Sequence, residues 1–212
     1  TLFRSYIDRD SVLSSEFPVR AAGTRVDLAI VAKRIIAVEV KSEYDSLRRL
    51  PAQLIAYRRY FDSVILVSHS KHYAELCRMN LHGSSLWLLW PTDELTTHIE
   101  LEQDSSVTKG SLSDLLTKKE QARYLTAEGR ISRDNHVPEN LEDAFRAAFL
   151  ARYGEQSRLF WRRVRNREVH ERDVTALSRF RSIRKMQKAH AEKLENSWAS
   201  WNDLTRDGYA QK

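Results

Sequence analysis

Arg25-Val26-Asp27-Leu28-Ala29-Ile30-Val31-Ala32-Lys33-Arg34-Ile35-Ile36-Ala37-Val38-Glu39-Val40-Lys41 is the stretch on which the fold turns. Its β-branched runs, Val26 to Val31 and Ile35 to Val40, are split by Ala32-Lys33-Arg34, a length that suits a hairpin. Asp27 opens the first strand; Glu39 and Lys41 end the second. Side chains alternate along a strand, so positions 39 and 41 leave the same face. The hairpin sets Asp27 beside them. Two carboxylates and an ammonium then meet at a strand end with apolar sheet behind them. Burying either charge alone is expensive, and even a buried pair rarely gains over apolar residues. Such a pair in mid-sheet points to use; the alternative is an edge strand with a surface salt bridge.

Two oxygen ligands suit a hard divalent ion such as Mg²⁺, with Mn²⁺ its expected substitute, since Mg²⁺ keeps several waters and takes a phosphate as a further ligand. The ion would polarise a phosphodiester and acidify a bound water. Lys41 would hold that water or stabilise charge growing on the phosphate.

Outward from the hairpin, the first half alternates strand and helix. An opening helix is expected over Leu2 to Leu13 and a short strand over Phe17 to Val19, then a turn at Ala21-Ala22-Gly23-Thr24. Ser46 caps a helix running to about Phe61, with Pro51 early enough to be tolerated. Val64 to Val67 and Leu86 to Trp90 are buried strands, separated by a short helix from Ser70 to about Met79. The order is that of an α/β sandwich with a mixed sheet. Beyond residue 111 strand signals fade. A helix from Ser111 to Tyr124 and a polar linker over Thr126 to Pro138 lead to a helix over Leu141 to Tyr153 capped by Asn140. Two more helices are expected over Ser157 to Val169 and Asp173 to Trp201. The division that follows is a core over 1–105, a helix and linker over 106–140, and a basic helical region over 141–212.

The chain has 212 residues, 42% of them apolar, so a sizeable core can be buried and wholesale disorder is excluded. Its longest apolar runs are too short to cross a bilayer. The single cysteine, Cys77, excludes a disulfide framework and a Cys-rich zinc site, and with no signal-peptide pattern visible it implies a cytoplasmic protein. Cys77 itself falls on an apolar helical stripe with Ala74 and reads as core. His69 and His72 read as capping or surface residues. No Gly-rich phosphate loop and no G-x-S-x-G turn occurs, which leaves P-loop and serine hydrolase chemistry unsupported.

The net charge is +6, and residues 1–110 balance at 14 basic and 14 acidic residues, so the whole excess lies in the second half. That excess reads either as attraction to a polyanion or as a solvated helical face. Phe160-Trp161-Arg162-Arg163-Val164-Arg165 combines aromatics with a basic run. Trp161 would stack bases and Arg162, Arg163 and Arg165 grip a backbone; alternatively the aromatics anchor a helix while the arginines face water.

Asp27 followed by Glu39-Val40-Lys41 on the next strand resembles the signature of the PD-(D/E)XK nuclease superfamily, whose core is a restriction-endonuclease-like αβββαβ arrangement. Val26 stands where that name has its proline. Gln53-Leu-Ile-Ala-Tyr57 is similar to the Gln-x-x-x-Tyr motif of RecB-like branches, and Lys41-Ser42-Glu43-Tyr44-Asp45-Ser46-Leu47-Arg48-Arg49-Leu50 resembles small bacterial and phage members. The resemblance covers roughly the first half of the chain. It implies Asp27, Glu39 and the Val40 carbonyl as metal ligands, with Glu16 as a further carboxylate. Lys41 assists water attack. Gln53 and Tyr57, one turn apart, orient Lys41 or touch nucleic acid. Ser42 bonds near the metal, and Arg48 and Arg49 contact phosphates.

The resulting expectation is a Mg²⁺-dependent deoxyribonuclease producing 5′-phosphate and 3′-hydroxyl ends, with DNA as partner and no membrane. The alternatives are a catalytically silent DNA-binding module, an adaptor or homo-oligomer docking through its C-terminal helices, and an RNA-directed nuclease.

Overall fold

A computed structural model describes residue 7 and residues 10–92, 94–99, 107–124, 140–165 and 167–177. Six strands form one sheet, ordered in space as in sequence: β1 (Val12–Val19), β2 (Thr24–Val31), β3 (Ile35–Lys41), β4 (Ser63–His69), β5 (Ser85–Leu89) and β6 (Leu95–Ile99). β1–β2, β2–β3 and β5–β6 are antiparallel, whereas β3–β4 and β4–β5 are parallel. Parallel neighbours need crossovers, supplied by α1 (Leu50–Arg58) and by α2 (Tyr73–Leu76) with its preceding 3₁₀ turn. The sequence places α3 (Lys118–Tyr124), α4 (Leu141–Arg163) and α5 (Glu171–Val174) after the sheet. The fold is therefore α/β with a mixed six-stranded sheet.

The turn between β1 and β2 closes on Gly23, whose φ of 63° is the left-handed conformation glycine adopts without steric cost. The β2–β3 turn is Ala32-Lys33-Arg34, as its length implies, and Ala32 N–H donates to the Arg34 carbonyl at 3.0 Å. Ser46 does cap the segment leading to α1, accepting from Arg48 N–H at 3.3 Å. Its first turn is 3₁₀, with Pro51 at the start of the α-helix proper, where no intrahelical N–H is lost.

α4 wraps an edge of the sheet. Its first half packs Phe145, Phe149 and Tyr153 around Phe17 on one face, with ring centroids 5.4–6.4 Å from that of Phe17. Its end sends Phe160 and Val164 to the other face, against Leu13, Ile30, Ile36, Val38, Ile65 and Trp87. Between these groups Ser157 lies over the edge strand: its Oγ accepts from Leu13 N–H at 2.5 Å and donates to the Leu13 carbonyl at 3.1 Å. An exposed edge invites pairing with another chain; here a helix hydroxyl occupies that backbone.

Several expectations are corrected. Val12 and Leu13 belong to β1 and not to an opening helix, because they pair with Val31 and Ile30; of the earlier residues of that helix, 7, 10 and 11 are described and are not helical, and the rest lie outside the described residues. The helices at 46–61 and 70–79 are shorter and begin as 3₁₀ turns. Leu141 to Arg163 is one continuous helix, not two, since Gly154 is tolerated inside it. β6 was not anticipated. Cys77 is exposed rather than core. The linker at 126–138 and most of the helix at 173–201 lie outside the described residues. Among the described residues no helix is long and apolar enough to cross a membrane.

Candidate functional site

β3 carries Ile35 and Ala37 into the core beneath α1, and by alternation Glu39 and Lys41 continue along that face. Both are buried, Glu39 to 2% exposure and Lys41 to 8%. Their contact is direct: Lys41 Nζ donates to Glu39 Oε1 at 2.6 Å. A surface salt bridge on an edge strand is thereby excluded; β3 lies between β2 and β4.

The helix expected to face them does so. Gln53 and Tyr57, a turn apart on α1, both reach the pair. Gln53 Nε2 donates to Glu39 Oε1 at 2.8 Å and its Oε1 accepts from Lys41 Nζ at 3.2 Å. The single hydroxyl proton of Tyr57 is shared between Glu39 Oε2, at 2.9 Å from the phenol oxygen, and the Arg25 carbonyl. Tyr57 is fully buried, and burial pushes its phenol well above the usual range. One bidentate amide and one phenol therefore fix the rotamers of both charged groups.

Asp27 reaches the site differently. Pairing of β2 with β3 ends at Leu28 and Val38. One step further the strands separate, and Asp27 Oδ2 accepts from Val40 N–H at 2.8 Å where a ladder bond would otherwise run. Tyr57 takes the Arg25 carbonyl on the same side of the opening. At this level the alternation of both β1 and β2 also breaks: Val12, Phe17 and Val19 share one cluster, as do Val26, Ala29 and Val31. Glu16, at the break, has φ 52°. The sheet thus opens at one end around Asp27 and Glu39.

Both carboxyls are held above the ordinary carboxylate range. For Glu39 lost hydration is the largest cause, with repulsion from Asp27 adding to it and the Lys41 bond opposing it. Asp27 is an exposed residue overall, yet partial burial of its carboxyl group again dominates, opposed by the Val40 N–H and Lys41. Asp45 and Glu16 add repulsion at Asp27.

Glu16 lies close enough to influence Asp27 and forms a 3.2 Å ion pair with Arg25. Among the described residues no three His, Cys, Asp or Glu side chains group to hold a metal ion.

The remaining expected residues are more dispersed. Ser42 turns away, giving both its N–H and its hydroxyl to Asp45 Oδ2 at 2.7 and 2.6 Å. Arg48 and Arg49 are exposed beside this loop, and Arg162, Arg163 and Arg165 are exposed at the end of α4. Phe160 is buried and Trp161 donates its indole N–H to the Ser11 carbonyl at 2.8 Å, so these aromatics anchor the helix. His69 caps the turn after β4 by accepting from Lys71 N–H at 3.1 Å. His72 is not a surface residue: it is buried and bonds the Ser42 carbonyl at 2.9 Å. Sequence reasoning missed Asp45 and His72 as supports of the loop after Lys41. The Ser42-x-x-Asp45 spacing, which favours a side-chain-closed turn, was the available signal for the first.

The family described as bacteriophage P4 protein cII matches residues 2–178. The chain belongs to the bacteriophage P4 protein cII family. Protein cII of Enterobacteria phage P4 is 32% identical over 77 residues, covering 36% of this chain and 29% of the phage protein's length. No solved structure matches. The cII-family match corrects the resemblance to PD-(D/E)XK nucleases. It takes in every residue from Glu16 to Val67 on which that resemblance rested, and it continues through the helical half. A signature of three side chains on one hairpin is short enough to occur outside the superfamily it suggests, so this cII-family site stands on its own geometry.

Proposed function

We propose that the protein is a divalent-cation-dependent deoxyribonuclease that hydrolyses DNA phosphodiester bonds to 5′-phosphate and 3′-hydroxyl ends. The observation that carries this reading is the 2.6 Å Lys41–Glu39 pair, buried on an apolar sheet face and opening onto Asp27. A buried ion pair seldom stabilises more than apolar residues of the same volume.

Asp27 and Glu39, with the Val40 carbonyl, are the residues that would hold Mg²⁺ or Mn²⁺. The donor set is all oxygen, as a hard cation requires. Asp27 Oδ1 has no hydrogen-bond partner among the described residues, and both carboxyls bind protons more readily than usual, chiefly because burial strips their hydration. Held by these residues, a divalent ion would supply Lewis acidity toward a phosphodiester and toward water. In this reading Lys41 supplies the ammonium that stabilises charge on the phosphate, and Gln53 and Tyr57 hold Glu39 and Lys41 in place. Glu16 is an additional carboxylate on the same side. Arg48, Arg49, Arg162, Arg163 and Arg165 supply phosphate contacts. As architecture, and not as family, the proposal takes β1–β2–β3, α1 and β4 as a restriction-endonuclease-like core.

The test is incubation of the full chain with supercoiled, linear and single-stranded DNA and with RNA, in Mg²⁺, Mn²⁺ or chelator. DNA cleavage that needs the cation and is lost in Glu39→Gln and Lys41→Ala supports the reading. Cleavage of RNA alone redirects it, and cleavage that survives both substitutions overturns the site.

One observation favours a second reading. Glu39 already accepts from Lys41, Gln53 and Tyr57, a satisfied network in the absence of any ion. On that reading the fold binds DNA, or a protein partner through its helices, without cutting. Salt-dependent DNA binding by a wild type that never cuts selects it.

A further inference from the structure

Immediately after Lys41 the chain forms a five-residue loop, Ser42-Glu43-Tyr44-Asp45-Ser46. At its tip Tyr44 is 89% exposed, more than any other large apolar residue among those described; Val169 follows at 53%. A single exposed aromatic is ordinary by itself. What sets this one apart is how firmly its loop is held. Ser42 N–H and Oγ donate to Asp45 Oδ2 at 2.7 and 2.6 Å, and Asp45 N–H donates to the Ser42 carbonyl at 3.2 Å. From the 3₁₀ turn after β4, Lys71 Nζ donates to the Glu43 carbonyl at 2.8 Å and the buried His72 ring bonds the Ser42 carbonyl at 2.9 Å. Five hydrogen bonds fix a segment whose most prominent side chain faces solvent.

From this placement we infer that Tyr44 is a stacking platform for a nucleobase of the bound strand, adjacent to the phosphate addressed by Asp27, Glu39 and Lys41. The flanking carboxylates Glu43 and Asp45 repel phosphate, so the loop offers a π-face rather than an anion site. Stacking on an aromatic ring is tolerant of base identity, because every base has a π-face. Preordering the loop reduces the entropy lost when a base docks. Arg48 and Arg49, four and five residues on, are exposed and carry the positive charge that neighbouring phosphates would need. The inference rests on the nucleic-acid part of the proposed function but not on turnover.

The experiment measures anisotropy of a labelled single-stranded DNA oligonucleotide with full-length wild type, Tyr44→Phe and Tyr44→Ala, in chelator so that nothing is cut, across a salt series. Stacking predicts that Tyr44→Ala binds about tenfold more weakly while Tyr44→Phe stays within about twofold. The salt slope is unchanged in both, since no phosphate contact is lost. Removing bases from the oligonucleotide, leaving an abasic backbone, abolishes the difference between wild type and Tyr44→Ala. Equal affinity of wild type and Tyr44→Ala overturns the inference, as does a loss in Tyr44→Phe matching that in Tyr44→Ala, or no oligonucleotide binding at all. Binding with the Tyr44 signature and no cleavage in Mg²⁺ leaves the stacking role intact and removes the nuclease reading. Cleavage with Tyr44→Ala behaving as wild type does the reverse.

Discussion

Asp27 Oδ2 accepts the Val40 backbone N–H at 2.8 Å, just past the last β2–β3 pair, Leu28 with Val38. A side chain thus replaces a ladder bond where the sheet opens. This makes Asp27 both a splint between strands and a free carboxylate oxygen, and the two roles can be separated. Asp27→Asn keeps an oxygen acceptor for Val40 and loses the charge. It is expected to shift unfolding free energy by less than about 1 kcal/mol while lowering cation-dependent cleavage on the order of a hundredfold or more. Urea unfolding alongside a cleavage rate checks both.

The Lys41–Glu39 pair gives a test by double substitution. Lys41→Ala leaves Glu39 buried without its ammonium and is expected to destabilise by roughly 3–5 kcal/mol. Glu39→Gln with Lys41→Met removes both charges and is expected to recover most of that stability with no recovery of activity. Denaturant midpoints compared across the single and double variants decide it.

Tyr57 serves Glu39 and the Arg25 carbonyl with one hydroxyl. Tyr57→Phe fills the same volume and strips both partners, so a loss of about 1–3 kcal/mol is expected. A thermal or urea midpoint equal to wild type contradicts the clamp.

The sign of the pH dependence follows from the two raised carboxyls. Between the ordinary carboxylate range and their raised values the folded chain holds more protons than the unfolded one. Their contribution to stability therefore falls as pH rises through that window and is recovered as pH falls. A bound divalent cation favours the ionised forms and opposes this loss. The melting-temperature rise on adding Mn²⁺ is expected to be larger near pH 8 than near pH 5, and to vanish in Asp27→Asn. An equal rise at both pH values contradicts cation binding by these carboxylates.

Ser157 tests the packing of α4 over β1. It bonds both backbone groups of Leu13 from a buried position. Ser157→Ala leaves both orphaned and is expected to cost about 1–3 kcal/mol, measurable by chemical denaturation.

What was legible in the sequence was what local pattern dictates. The hairpin at 26–40 follows from two β-branched runs and a three-residue gap, and the shared face of Glu39 and Lys41 follows from strand alternation. The facing of Gln53 and Tyr57 follows from helical spacing. What escaped depends on contacts distant in the chain. Val12 and Leu13 have helix-compatible neighbours but pair with Val31 and Ile30. β6 is polar, Leu95-Thr96-Thr97-His98-Ile99, and forms because β5 offers an open edge. The continuity of α4 comes from tertiary packing of Phe145 through Phe160 rather than from propensity. Family membership was misread because the Asp27, Glu39 and Lys41 spacing is a short pattern, whereas the cII-family match draws on residues 2–178.

The most direct measurement is single-turnover cleavage of end-labelled and supercoiled DNA by the full chain in Mn²⁺ or Mg²⁺, beside Asp27→Asn, Glu39→Gln and Lys41→Ala, with the product ends identified. The expected result is cation-dependent cleavage leaving 5′-phosphate ends in the wild type and loss on the order of a hundredfold in each variant. Cleavage unchanged in the variants, or a wild type that binds DNA and leaves it intact, contradicts the nuclease assignment.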